Sequence, residues 1–527
     1  MRGAVGVGVL SRGQGPVLSR RGFVGVVGLT ALALTGTLSA CSGEKNQLTV
    51  DVVDSAPASA VLPGEDLAWI ALTLSAALFL AADGVLIATP ETLEQLAPVS
   101  SATGLPLLVG TDQAVAEEIS RLGAGTVLTA AGTDLSGLGD LVGDLEVVEI
   151  DSAQEGPELP AVNLDEQAVA VTLLVDPEAE AEAALPTRTL ASAVVQAVGG
   201  SIAEIPSGVL GRSSETIAAV TEAAGDDPAT GVLALGASFA ANFGAGAGAA
   251  DDWPAALDRT LRTPQLPGGG HQAFPGRRMV AAYGSPGVPS LGILGEQSLQ
   301  ESITRVQELA AEYAGLAEEP VLPAFEIITT MASSEPGGDG NYSTERDPEL
   351  LREWVDAAGE AGVYVVLDLQ PGTTDFLTQA RLYEDLLLAP HVGLALDAEW
   401  RLEPGQKHLA QIGSVSAAEV NDVASWLAAL TTEHSLPQKL LILHQFTHSM
   451  ISDRQDIDTS HPELAITLHA DGHGVPGDKL GTYRALQRDL PEGIFMAWKN
   501  FYDEDTPMFT PQETYEVEPR PWFVSYQ

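Results

Sequence analysis

Paired residues able to do chemistry stand near the ends of several apolar runs in the second half of the chain. Asp368 with Gln370, Asp397 with Glu399 in "VGLALDAEW" (392 to 400), and His469 with Asp471 are each separated by a single residue. In an extended strand, residues two apart share a face, so each pair can point one way. His444 and the Trp498-Lys499 pair close similar runs. Crowded carboxyl groups titrate apart, and glycoside cleavage needs that division: one group protonated, another charged beside an oxocarbenium-like transition state. Glu399, Asp397 and Asp368 are therefore the catalytic candidates. Gln370, Trp400, His444, Trp498 and Tyr502 are candidates for holding substrate. Trp400, Trp498, Phe501 and Tyr502 offer faces on which a sugar can stack, although ordinary core packing uses the same residue types. A second chemistry is open as well. His444, His469, Asp471 and His473 ("HADGH", 469 to 473), with His448 nearby, combine imidazole and carboxylate as a metal-dependent amide or ester hydrolase does. Alternatively, these histidines line a polar rim and bond to loops. No cofactor is favoured by these patterns, and a divalent metal is the one they allow.

Such residues need a scaffold that brings the ends of several strands together. From Met279 onward eight strand candidates follow one another: "MVAAYG", "PAFEIITT", "VYVVLDL", "HVGLALD", "KLLILHQF", "ELAITLHAD", "GIFMAWKN" and "RPWFVSYQ". Helical periodicity lies between most of them, at 297–314, 346–361, 373–388, 417–434 and 478–490, while the fifth and seventh connections are irregular. Eight β-α repeats in about 250 residues predict a (β/α)8 barrel of TIM type over 279–527. Active sites of such barrels lie at the C-terminal ends of the strands, which is where the polar pairs fall.

The stretch Gly393-Leu394-Ala395-Leu396-Asp397-Ala398-Glu399 resembles the end of the signature strand of family 18 glycoside hydrolases. That resemblance implies Glu399 as general acid and Asp397 as the residue orienting an acetamido group. Val392 and Ala395 stand where that family carries acidic residues. A barrel that binds glycan without cutting it is a third expectation.

The first forty-one residues read as an address. Arg20-Arg21, an apolar stretch and Leu38-Ser39-Ala40-Cys41 follow the signal-peptide layout. Ser19-Arg20-Arg21-Gly22-Phe23-Val24 resembles the twin-arginine export motif, and Leu38 to Cys41 resembles a lipobox, which implies that Cys41 carries lipid and attaches the chain to the outer face of the membrane. Residues 42–66 are polar and aperiodic and predict a flexible tether. "LAWIALTLSAALFLAA" (67 to 82) is too short for a membrane span and predicts a buried core helix.

Across 67–243, short apolar runs alternate with amphipathic ones: "GVLIAT", "PLLVG", "GTVLTAAG" and "LEVVEID", then "AVAVTLLVD" and "GVLALG". The alternation predicts Rossmann-like β-α repeat units on a parallel sheet. The part from 83 to 151 resembles the type-2 cell-wall-binding repeat of Gram-positive surface proteins, and 168–236 looks like a diverged copy. No GxGxxG or P-loop pattern follows these strands, so nucleotide binding has no support. Residues 244–278, rich in Gly and Pro, predict a linker before the barrel.

The 527-residue chain has 72 Asp+Glu against 25 Lys+Arg, a formal charge of -47. Such a field repels phosphate backbones and anionic lipid, which argues against nucleic-acid partners and leaves membrane contact to the lipid on Cys41. Taken whole, the chain resembles actinobacterial surface lipoproteins that join a wall-binding-like region to a C-terminal barrel. The expected partner is cell-wall glycan or another envelope polymer. No pattern sets an oligomeric state.

Overall fold

The computed structural model describes residues 47–62, 64, 66–150, 162–164, 168–179, 184–241 and 253–527. The export motif, Cys41, the first five residues of the expected tether and residues 244–252 of the expected linker lie outside these described residues.

Eight parallel strands close on themselves: β1 (Arg278–Gly284), β2 (Val321–Ala332), β3 (Tyr364–Leu369), β4 (Val392–Asp397), β5 (Lys439–Gln445), β6 (Leu464–Ala470), β7 (Phe495–Asn500) and β8 (Phe523–Tyr526). Each pairs with its sequence neighbours, and β8 returns to β1. This is a closed (β/α)8 barrel of TIM type, with every expected strand in place. Helices α1 (Leu299–Tyr313), α2 (Pro348–Glu360), α3 (Phe376–Arg381), α4 (Glu384–Leu387), α5 (Ala417–Glu433), α6 (Pro476–Leu486) and α7 (Pro511–Tyr515) fill the connections. The fifth connection holds short 3-10 turns and a two-residue strand, with no α-helix.

Period-2 alternation divides every barrel strand. One set of side chains meets the outer helices: Leu367 and Leu369 of β3, Leu394 and Leu396 of β4, and Leu441 and Leu443 of β5. The other set fills the barrel with Met279, Ala281, Ala324, Tyr364, Val366, Ala395, Leu440, Ile442, Ala465, Ala497 and Phe523. Alanines opposite larger residues allow the interior to pack as layers rather than leave a pore. Gly393 is required here, because a Cβ at that position would lie 2.8 Å from the Leu440 carbonyl oxygen and 2.9 Å from the Tyr364 hydroxyl.

Residues before the barrel form three smaller sheets. Leu107–Val109, Gly84–Ala88, Thr126–Ala130 and Glu146–Ile150 lie parallel in that spatial order. Ser201–Glu204, Thr172–Val175 and Val232–Leu235 repeat the order, and Ala60–Leu62 takes the fourth place. Leu48–Val52 lies between Phe79–Ala82 and Val162–Leu164. The expectation of a tether across 42–66 is thus corrected, since both of its short apolar runs are sheet strands. "LAWIALTLSAALFLAA" divides into a 12-residue helix, Leu67–Leu78, with Ile70, Ala71, Leu74 and Leu78 buried, and the strand Phe79–Ala82. Among the described residues no helix is long and apolar enough to cross a membrane.

The expected linker is also corrected. Trp253–Arg262 is a helix whose Trp253 indole donates to the Val232 carbonyl at 3.0 Å. Beyond it, Leu266, Ala273 and Phe274 belong to the same buried cluster as the barrel interior. Phe274 meets Phe495 and Trp522, with ring centroids 5.3 and 5.7 Å away, and closes the N-terminal end of the barrel. High Gly and Pro content removed the periodicity of this stretch without removing its packing.

Candidate active site

At the opposite end of the barrel, the inward set turns from apolar to charged. Glu326 follows Ala324 on β2, Asp368 follows Val366 on β3, and Asp397 follows Ala395 on β4. His444 follows Ile442 on β5, and His469 and Asp471 follow Thr467 on β6; Lys499 follows Ala497 on β7. Parallel register sets Asp397 beside His444 and His444 beside His469. All seven of these residues are buried.

His444 lies at the centre. Its Nδ1 donates to Asp471 Oδ2 and its Nε2 to Glu326 Oε1, both at 2.9 Å. Asp368 Oδ1 lies 3.8 Å from the same Nε2, while Asp368 Oδ2 accepts from the Tyr283 hydroxyl at 2.9 Å. His469 Nδ1 lies 3.7 Å from Glu326 Oε1, beyond hydrogen-bond reach, and its Nε2 is 3.1 Å from the Ser525 hydroxyl. Lys499 Nζ sits 3.4 Å above the centre of the Tyr283 ring. Asp397 ends β4 and accepts from the backbone N–H of Glu399 at 3.2 Å, which holds the 3-10 turn Ala398–Trp400.

These contacts divide protonation. Burial alone would lower His444, but Asp368 and Glu326 hold it well above the ordinary imidazole range. Glu326 shows the reverse: burial opposes ionisation, and His469 and His444 overcome it, leaving Glu326 well below the carboxylate range. In Asp471, burial is outweighed by the hydrogen bond from His444, so it too is lowered. Burial pushes Asp368 up to about 6, against the pull of His444. Asp397 is raised well above its usual value by burial, with Asp368 and Asp471 adding repulsion. Glu399, half-buried, is raised by burial and then by Asp471. Burial lowers His469. The floor is thus an ionic sandwich, Glu326–His444–Asp471, and the neighbouring carboxyl groups hold their protons more tightly than free ones do.

Above this floor a cavity of about 580 Å³ opens to solvent, with Asp397, Glu399, Asp471 and Lys499 on its wall and Trp400 at its lip. Gln370 lines it too, fixed by the Ala332 N–H, which donates to its Oε1 at 3.0 Å. The Trp400 ring lies 5.3 Å from that of His408.

Three expected substrate contacts do not line the cavity: His444 is buried in the floor, as is the expected catalytic Asp368, and Trp498 and Tyr502 stand elsewhere. Trp498 faces outward, because Lys499 takes the inward place on β7; its ring stacks on Phe509 at 5.3 Å and meets Tyr483 of α6 at 5.5 Å. Tyr502 does not line the cavity and stands against Tyr526 and Arg305. His473 lines the upper wall beside Phe501, away from the His444–His469 pair. The His448 imidazole lies 3.0 Å from the Ala485 carbonyl at the end of α6. Sequence reading missed Glu326 and Tyr283, and it assigned Lys499 no role. The signal for Glu326 was available: it is the single charge in "PAFEIITT", on the face shared by Ala324 and Ile328.

Among known proteins, no family model and no curated sequence matches this chain.

Proposed function

We propose that this chain is an exported, lipid-anchored protein of the cell envelope whose barrel hydrolyses wall glycan. The observation that carries this reading is the placing of Asp397 and Glu399 together on the wall of an open cavity large enough for a sugar ring, beside Trp400. Glu399 is the general acid. Its carboxyl proton passes to the glycosidic oxygen as the bond from that oxygen to the anomeric carbon breaks. One fragment leaves as an alcohol, and water adds to the anomeric carbon and returns a proton to Glu399. Asp397, buried beneath and bonded to the Glu399 backbone, orients the substrate. The likeness of Gly393–Glu399 to the end of the family 18 signature strand supports these roles. Trp400 offers the stacking face.

The envelope location rests on Arg20-Arg21 and on Cys41 closing the apolar run. The β-α units before the barrel, Rossmann-like in their alternation, serve as the wall-binding region in this reading, on the likeness of 83–151 to cell-wall-binding repeats.

Reducing ends released from purified wall glycan test the proposal. Glu399→Gln keeps the shape and removes the acid, and release should fall by about 10²- to 10⁴-fold. Unchanged release would exclude Glu399 as the acid. Retained sedimentation with wall, but no release by the unmodified chain, would favour a glycan binder.

A further inference from the structure

Beneath the carboxylate pair, the floor has the donor set and spacing of a metal centre. We propose that Glu326, His444 and His469, with Asp368 as fourth ligand, bind one divalent transition-metal ion of the zinc type. This inference stands on the floor geometry and goes beyond the glycan reading.

Three donor atoms converge, those of Glu326, His444 and His469, and Asp368 stands beside one of them. Glu326 Oε1 lies 2.9 Å from His444 Nε2 and 3.7 Å from His469 Nδ1, and Asp368 Oδ1 lies 3.8 Å from His444 Nε2. An ion bound at about 2.0–2.1 Å in tetrahedral geometry separates its ligand atoms by about 3.3 Å; the separations of Glu326 Oε1 from the two imidazoles lie within about half an ångström of that, and Asp368 must turn its carboxylate toward the ion to join them. His469 Nδ1, Asp368 Oδ1 and Glu326 Oε2 are buried without a hydrogen-bond partner. Asp471 Oδ1, behind His444, is likewise without one. Fully buried polar atoms are rarely left so, and two of them, His469 Nδ1 and Asp368 Oδ1, are donors of the proposed set.

The outer atoms are already tied down. His444 Nδ1 is held by Asp471, His469 Nε2 lies against the Ser525 hydroxyl, and Asp368 Oδ2 accepts from Tyr283. Metal-bound histidines almost always have the second ring nitrogen fixed in this manner. Charge agrees with geometry: Glu326, Asp368 and Asp471 surround the histidines in the buried floor, and Asp397 and Glu399 stand above them on the cavity wall. Two imidazoles select zinc-type ions over magnesium or calcium, which take oxygen ligands.

The set differs from the one expected from sequence. Asp471 stands behind His444, His473 is on the upper wall, and Glu326 takes the place expected for them. Asp397, His444 and Asp471 form a second possible group. It offers only one imidazole.

The test uses the full purified chain, stripped with a chelator and reconstituted separately with zinc and cobalt. One equivalent per chain is expected, with intense visible bands from four-coordinate cobalt and a rise in Tm when zinc is added. Glu326→Gln and His469→Gln should lose the bands and the equivalent, whereas Asp397→Asn should keep both. Circular dichroism establishes that the variants are folded. If they are not, metal content and the cobalt spectrum of the unmodified chain decide the matter. Uptake well below one equivalent would overturn the proposal. Full uptake by folded His469→Gln with loss in Asp397→Asn would overturn it too, moving the ion to the second group. Because metal content is read without substrate, failure here leaves the glycan reading standing, and the reverse also holds.

Discussion

One residue of register separates a cavity-wall cation from a core side chain on β7. Trp498 was a candidate and Lys499 only its neighbour, but adjacent residues cannot both face the barrel axis. The indole fills a space between β7, α6 and the following loop, with Phe509 and Tyr483 against it. Lys499 supplies the cation on the cavity wall. The two should therefore respond oppositely to substitution. Trp498→Ala removes a buried aromatic and should cost about 3–5 kcal/mol in urea unfolding. Lys499→Met should cost less in stability and lower glycan release about tenfold or more, through loss of charge beside the reacting groups. A larger stability loss for Lys499→Met, with release intact, would reverse the assignment of faces. Pairs two apart, such as His469 with Asp471, were readable from sequence, because alternation alone sets their common side. Glu326 was less visible because it stands mid-strand, before the apolar Ile327 and Ile328, and not at the strand's end where the other polar pairs fall.

At the scale of single elements, the eight strands and five main helices were legible, since a strand buried on both faces reads as a continuous apolar run. The charge at the start of β5 was not. Lys439 is buried at the N-terminal end of the barrel, where its Nζ donates to the carbonyls of Ala389 and Val392 at 3.0 and 2.7 Å. Burial pushes its pKa down to about 7 from 10.5. Between those values the unfolded chain holds a proton that the folded chain lacks. Stability from this group therefore rises as pH increases from about 7, and is level at lower pH. The gain from pH 7 to pH 9 amounts to about 2 kcal/mol. Urea unfolding at the two pH values should reveal this rise in the unmodified chain and lose it in Lys439→Met. Equal slopes would mean that Lys439 stays charged in the fold, with water reaching its amine.

On the scale of the whole molecule, composition gave the wrong boundaries where it was the only guide. Strands of three and five residues, such as Ala60–Leu62 and Leu48–Val52, carry too few alternations to register, and their partners lie far along the chain. The Gly- and Pro-rich segment before β1 poses the same problem with a larger consequence. Its Phe274 ring shares the barrel floor with Phe495 and Trp522. The N–H groups of Ala273 and Phe274 donate to Gln438 Oε1 at 3.0 and 3.2 Å, and the Gln438 N–H donates to the His271 carbonyl at 2.9 Å. Arg277 ties the turn to the carbonyls of Pro267 and Gly269. A barrel that starts at Met279 loses all of these and exposes two aromatic rings. Deleting one buried Phe side chain costs about 3–5 kcal/mol, so a chain beginning at Met279 should melt roughly 10 °C below one beginning at Gln265. It should also bind a hydrophobic dye where the longer chain does not. Equal melting temperatures would show that the barrel closes its floor unaided and that the segment is a connection only. The expected difference would make the segment part of the barrel, so that the scaffold holding Asp397, Glu399 and the histidines begins before its first strand.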